Sequence, residues 1–212
     1  MKQSDYLTLA GEGTSRYEEK KSVFLGFAGK FEREEDVLSW LASLRSAYPD
    51  ARHHVYAYRL REDNTTRYSD DREPQGTAGM PTLDVLRGRD LYDCAVCVIR
   101  YFGGTLLGTG GLVHAYGTAA ADAVKNAGTV RMTERRRFTL SVSYADHPRV
   151  SSVLSDGGAV VSDVSYAEGV TIFGTVDAAG ADALSRALSD ATAGRAVPEW
   201  GELVFSPVPV EQ

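Results

Sequence analysis

The chain has 212 residues, of which 43% are hydrophobic and 25% charged, the composition of a folded globular protein with one large domain or two modest ones. No apolar run approaches the roughly 18 residues that cross a bilayer, and the polar start lacks a signal-peptide pattern. We therefore expect a soluble, cytoplasmic protein with no membrane partner. The net charge of −6 divides into −1 for residues 1–132 and −5 for residues 133–212, which excludes a protein that coats nucleic acid through its overall charge.

The first part of the chain predicts a mixture of strands, helices and two irregular loops. The apolar stripe Val37, Leu38, Leu41 and Leu44 has helical spacing. The two loops are rich in Asp, Pro and Gly, and cover 68–79 and 103–111. Strands are expected near 6–9, 22–28, 54–60 and 93–101, and helices over 33–47, 80–86 and 112–126.

The second part of the chain has a simpler order. Phe138, Leu140, Val142 and Tyr144 alternate with polar residues, as in a half-buried strand. Asp146 is placed to cap the next helix, and the dipeptide at 157–158 ends it. The expected elements are strands at 137–144, 159–166, 170–176 and within 200–208, and helices at 148–154 and 177–192.

This order, βαββαβ, is that of a ferredoxin-like domain. We place the joint between the two parts near 131–136. The sequence thus predicts an α+β protein with domains 1–132 and 133–212.

Cys94 and Cys97 have the spacing of a redox or zinc pair but lie in an apolar strand pattern. Residues three apart on a strand point to opposite faces. The two sulfurs therefore cannot share a metal or a disulfide, and we expect both side chains in the core.

The second loop runs from a strand directly into a helix, which is a favourable arrangement for binding an anion. Its glycines allow the backbone N–H groups to converge, and the helix N-terminus adds partial positive charge. Arg100 ends the preceding strand and can add a guanidinium. The same glycines also suit tight turns and close packing, so both interpretations stay open. The anion-binding candidates are Arg100, Gly103, Gly104, Gly108, Thr109, Gly110, Gly111, Lys21, Arg52 and His54.

The first loop holds the carboxylates Asp70, Asp71 and Glu73. Three carboxylates in four residues can hold Mg²⁺, and they can equally cap a helix or pair with arginine. His54 is a candidate base or ligand, with a polar strand-end role as the alternative. No nucleophile with an evident base is present, so the sequence favours a binding protein without a cofactor over an enzyme.

Four stretches closely resemble the YigZ/IMPACT family. They are EKKSVF from Glu19, DARHH from Asp50, DDxEPxGTAGxP from Asp70, and VxRYFGGxxLGTGGLVxAYG from Val98. The resemblance covers about the first 130 residues. It implies a first domain like domain IV of elongation factor G and the second domain of a small-subunit ribosomal protein, with a left-handed crossover. It also implies a ferredoxin-like second domain, in agreement with the pattern above.

The resemblance implies a binding or regulatory protein of translation, which contacts RNA, a ribosomal component or a protein partner. Arg72 stands where the family commonly has Gly, and His114 where it has Arg or Lys, which removes one positive charge. Two other functions remain open: an Mg²⁺-dependent enzyme acting on a phosphorylated small molecule or nucleotide, and a pure protein–protein interaction module.

Overall fold

A computed structural model describes residues 5–209 and divides them into two units. The first unit is Tyr6–Arg131, with 208 and 209 grouped with it, and the second is Met132–Pro207. Each unit combines helices with sheet strands, so the predicted two-domain α+β architecture is confirmed. The predicted joint near 131–136 falls inside one continuous strand, Thr129–Val142, rather than in a loop.

Five strands of the first unit form one mixed sheet in the order β2-β3-β6-β4-β5. The strands and helices of this unit are β1 (Tyr6–Leu9), β2 (Gly13–Glu19), β3 (Ser22–Lys30), α1 (Glu34–Ala47), β4 (His53–Arg59), β5 (Thr66–Ser69), α2 (Gly79–Gly88), β6 (Cys94–Tyr101) and α3 (Gly108–Ala127).

Helix α1 links two strands that are parallel to each other, because both β3 and β4 are antiparallel to β6, which lies between them. This connection is the crossover that the resemblance implies. Its left hand stays a prediction.

Strand β6 separates two layers of core. Cys94, Val96 and Val98 pack with the buried residues of α3, whereas Cys97 and Ile99 pack with those of α1. The two cysteines are therefore buried, unpaired and on opposite faces, as the strand period predicted. Burial raises the pKa of each thiol to about 12.

Some predicted boundaries in the first unit were wrong. Strands β2 and β5 were missed, because charged and polar residues fill their exposed positions. Leu38, assigned to the buried stripe of α1, is 51% exposed. Helix α3 begins at Gly108, so the second half of the predicted glycine-rich loop is helical.

The second unit contains β7 (Thr129–Val142), α4 (His147–Asp156), β8 (Val160–Tyr166), β9 (Val170–Asp177), α5 (Ala181–Thr192) and β10 (Glu199–Pro209). The sheet order is β10-β7-β9-β8, and β7–β9 and β9–β8 are antiparallel, which is the ferredoxin-like arrangement. The core lies between this sheet and the two helices.

Two residues of the second unit differ from their predicted roles. Tyr144 lies beyond the strand and is exposed. Asp146 precedes α4 without capping it, because its carboxylate accepts hydrogen bonds from Ser143 and Arg195. Within residues 5–209, no helix combines the length and apolar character needed to span a bilayer.

Candidate functional site

A cavity of about 540 Å³ opens in the first unit, where the acidic loop before α2, the start of β4 and the glycine-rich segment before α3 meet. Its lining combines two kinds of surface. The polar residues are Arg52, His53, Arg72, Glu73, Arg100 and Thr109, and the others are Pro74, Phe102, Leu106, Leu107, Gly108 and Leu112. The volume lies in the ordinary range for small-ligand pockets.

Arg52 and Arg72 supply positive charge to this cavity. Both residues are exposed, and Arg72 donates a hydrogen bond to the carbonyl oxygen of Arg52 at 2.7 Å. Asp71 and Arg72 have φ values of 40° and 72°, so the loop turns through left-handed backbone conformations just before the arginine. In the part of the chain that the structure describes, neither arginine forms an ion pair with a carboxylate. Both guanidinium groups are thus available to an anion.

Helix α3 begins at the same cavity, which Gly108 and Thr109 line. The first-turn N–H groups of a helix have no carbonyl partner within the helix, and the helix dipole makes this end partially positive. The helix has 20 residues, and its first three are exposed. An anion in the cavity would therefore face backbone donors as well as arginines.

Arg100 is buried, and its charge is largely neutralised by the protein. Its Nη1 donates to Oε1 of Glu73 at 2.6 Å, and Nη2 lies 3.4 Å from the hydroxyl of Ser22. Tyr116 donates its hydroxyl hydrogen to the same Glu73 oxygen at 2.8 Å. Burial, followed by the charge of Glu73, raises the pKa of Tyr116. The Nε of Arg100 is buried without a hydrogen-bond partner. Arg100 is therefore a supporting residue of the wall rather than a freely available phosphate ligand.

The histidine that lines the cavity is His53, and not the predicted His54. Register explains the difference: His53 lies opposite Arg100, whereas His54 lies opposite Ile99 on the other face of the sheet. The Nδ1 of His53 donates to the carbonyl oxygen of Asp71 at 2.8 Å, and Nε2 lies 3.7 Å from Glu73. Burial lowers the pKa of His54, and nearby Arg45 adds to this effect. The sequence alone did not give the strand register that separates the two histidines.

The three carboxylates of the acidic loop serve three different purposes. Asp70 accepts hydrogen bonds from the backbone N–H groups of Gly76, Ala78 and Gly79, where α2 begins. Asp71 accepts from the N–H of His54 at 2.6 Å. Glu73 is held by Arg100 and Tyr116, as described above.

These three side chains are therefore not gathered around one point, as the predicted magnesium site required. Throughout residues 5–209, no group of three or more His, Cys, Asp or Glu side chains is arranged to hold a metal ion.

The glycine-rich segment divides into packing and accessible positions. A Cβ atom on Gly103 would lie 2.1 Å from the carbonyl carbon of Lys21, and the Gly103 N–H donates to Ser22. That amide is already used within the protein. By contrast, Gly104, Gly108 and Gly110 have open space around them.

Not every predicted anion-binding residue lines the cavity. Those that do are Arg52, Arg100, Gly108 and Thr109. Those that do not are Lys21, His54, Gly103, Gly104, Gly110 and Gly111. Lys21 is exposed in the turn between β2 and β3. The sequence analysis missed His53, Phe102 and Leu106, although Phe102 directly follows the predicted strand.

Two domain families match separate parts of the chain. The Impact N-terminal domain matches residues 20–124, and a domain of unknown function, DUF1949, matches residues 140–195. The cavity lies wholly within the first matched region.

Relatives from bacteria match most of the chain. An IMPACT family member from Haemophilus influenzae is 31% identical over 94% of this chain and 98% of its own length. IMPACT family member YigZ from Escherichia coli is 37% identical over 68% of this chain and 73% of its own. A solved structure titled as a hypothetical protein has a TM-score of 0.60 at 30% identity and covers 99% of both chains.

Proposed function

The chain belongs to the IMPACT family, and from that premise we propose that it is a translation-linked binding protein that contacts RNA phosphate through the cavity beside α3. One observation carries the proposal: Arg52, Arg72 and the N-terminus of α3 line the same cavity. The family resemblance implies the link to translation. The RNA contact is inferred from the charge of the site.

The charge balance supports a local rather than a general affinity for polyanions. The whole chain carries −6, so long-range attraction to RNA is absent. Inside the cavity, Glu73 offsets Arg100, and two arginines remain without a carboxylate partner. Charge-assisted hydrogen bonds from such arginines and from helix N–H groups are the usual contacts to phosphate oxygens.

Arg52 and Arg72 are the residues to vary, because Arg100 also supports the fold. We expect the purified protein to bind single-stranded RNA at low salt, with an affinity that falls as salt rises. The double variant Arg52→Ala/Arg72→Ala loses two phosphate contacts, so its slope of log K against log salt should fall by about 1.4. Fluorescence anisotropy across a salt series measures both quantities.

A second double variant, Arg16→Ala/Arg87→Ala, removes the same charge from two exposed arginines outside the cavity lining. Its salt slope should match that of the wild type. If the wild type binds no RNA at low salt, or if both double variants weaken binding equally, the cavity is not the RNA contact.

A further inference from the structure

The apolar wall of the cavity is unusual for a site that only binds phosphate. Phe102 is 44% exposed and Leu106 is 83% exposed, and both line the cavity that Arg52 and Arg72 line. An exposed aromatic ring beside a large exposed aliphatic side chain marks a ligand-binding groove more often than a solvated loop. A phosphate alone would leave this wall without a partner.

The ring of Phe102 is anchored from the protein side. The Arg100 guanidinium carbon lies 5.5 Å from its centroid and 5.4 Å from that of Phe24. Glu73 holds the same guanidinium at 2.6 Å, so the ring sits against a fixed, buried cation. The buried and unpartnered Nε of Arg100 is a further donor at the wall that the protein does not use. A fixed ring loses little entropy when a planar group stacks on it.

We infer that the cavity takes an unpaired nucleotide of single-stranded RNA, with the base against Phe102 and Leu106 and a phosphate beside Arg52, Arg72 and the start of α3. This inference rests on the proposed function and specifies its ligand class. Every base has a flat apolar face, so stacking on an aromatic side chain is largely independent of sequence. In a duplex the bases are stacked on one another and cannot reach the ring.

The test compares three labelled ligands of equal length by fluorescence anisotropy. They are an oligoadenylate, the same strand annealed to oligouridylate, and an abasic ribose–phosphate strand. Base stacking on aromatic side chains is worth about 1–3 kcal/mol per base, so the oligoadenylate should bind roughly 5- to 150-fold more tightly than the abasic strand. The duplex should resemble the abasic strand.

The variant Phe102→Ala should lower oligoadenylate affinity to the abasic level and leave abasic binding unchanged, whereas Phe102→Trp should keep the preference. Tyr166→Ala removes a ring that is 61% exposed and lies in the second unit, and it should change neither affinity. Phe102→Leu is a second variant that keeps an apolar side chain at this position, and it should lose the base preference without loss of the fold.

The outcomes separate the two proposals. Equal wild-type binding of all three ligands overturns the stacking inference and leaves the phosphate contact standing. The same follows if Phe102→Ala and Phe102→Leu weaken abasic binding as much as oligoadenylate binding, because the ring then only supports the fold. If the wild type binds none of the three at low salt, both proposals fail together.

Discussion

Among single residues, Glu73 carries the largest structural demand in the first unit. Its carboxylate is buried and accepts hydrogen bonds from Arg100 and Tyr116 at 2.6 and 2.8 Å. Arg100 is buried as well, so it depends on Glu73 for its only carboxylate partner among the described residues. Removal of one member of a buried pair leaves the other charge without compensation, and this costs more than the intact pair contributes.

The variant Glu73→Ala should therefore lower the free energy of unfolding by about 3–5 kcal/mol. Tyr116→Phe removes one hydrogen bond and keeps the ring, so it should cost about 0.5–1.5 kcal/mol. Equilibrium unfolding in urea measures both changes.

The control is Glu18→Ala, which breaks an exposed ion pair with Arg16 and should cost at most about 1 kcal/mol. A loss for Glu73→Ala no larger than this control would show that Arg100 finds another partner or access to water.

At the scale of elements, the segment between β6 and α3 uses its glycines in two ways. Gly103 lies against the backbone of Lys21 and Ser22, with no room for a Cβ atom. Gly110 lies in the first turn of α3, and a Cβ there would meet no atom within 4 Å. The sequence left packing and anion binding as alternatives, and the structure assigns Gly103 to packing.

Alanine at these two positions should have opposite effects on stability. Gly103→Ala should cost about 1–3 kcal/mol, because backbone atoms must move to accommodate the methyl group. Gly110→Ala should raise stability by up to about 1 kcal/mol, because alanine favours the helix. Urea denaturation of both variants checks the contrast. Similar losses at the two positions would contradict the assignment.

Sequence periodicity predicted most elements but could not assign the faces of the candidate site. Helices and buried strands have strong patterns, and the βαββαβ order of the second unit followed directly from them. The edge strands β2 and β5 carry polar residues on exposed positions, so their pattern is weak. The choice between His53 and His54 depends on the register with β6, which is a long-range contact that no local pattern encodes.

For the whole molecule, charge and function are unevenly distributed along the chain. Residues 1–132 are nearly neutral and include the proposed RNA contact, while residues 133–212 carry −5. An acidic region repels RNA within a Debye length, which is about 8 Å at physiological salt. The cavity must therefore bind through close contacts, and this agrees with an affinity that depends on a few specific arginines.

Cys94 and Cys97 offer a test of whether the first unit unfolds as one body. The two thiols are buried in core layers on opposite faces of β6, and burial raises the pKa of each to about 12. Only the thiolate reacts, so both should be inert to a thiol reagent in the folded protein. If the two layers open together, both cysteines become reactive in the same event.

We therefore expect equal labelling rates for Cys94 and Cys97 at every urea concentration, measured by alkylation and mass spectrometry of the peptides. The single variants Cys94→Ala and Cys97→Ala serve as controls, because each isolates the signal of the other thiol. Both layers share β6, whose strand is paired on both sides, so one layer cannot open without disturbing the other. Faster labelling of Cys97 alone would mean that α1 detaches from the sheet while the layer formed by α3 remains folded.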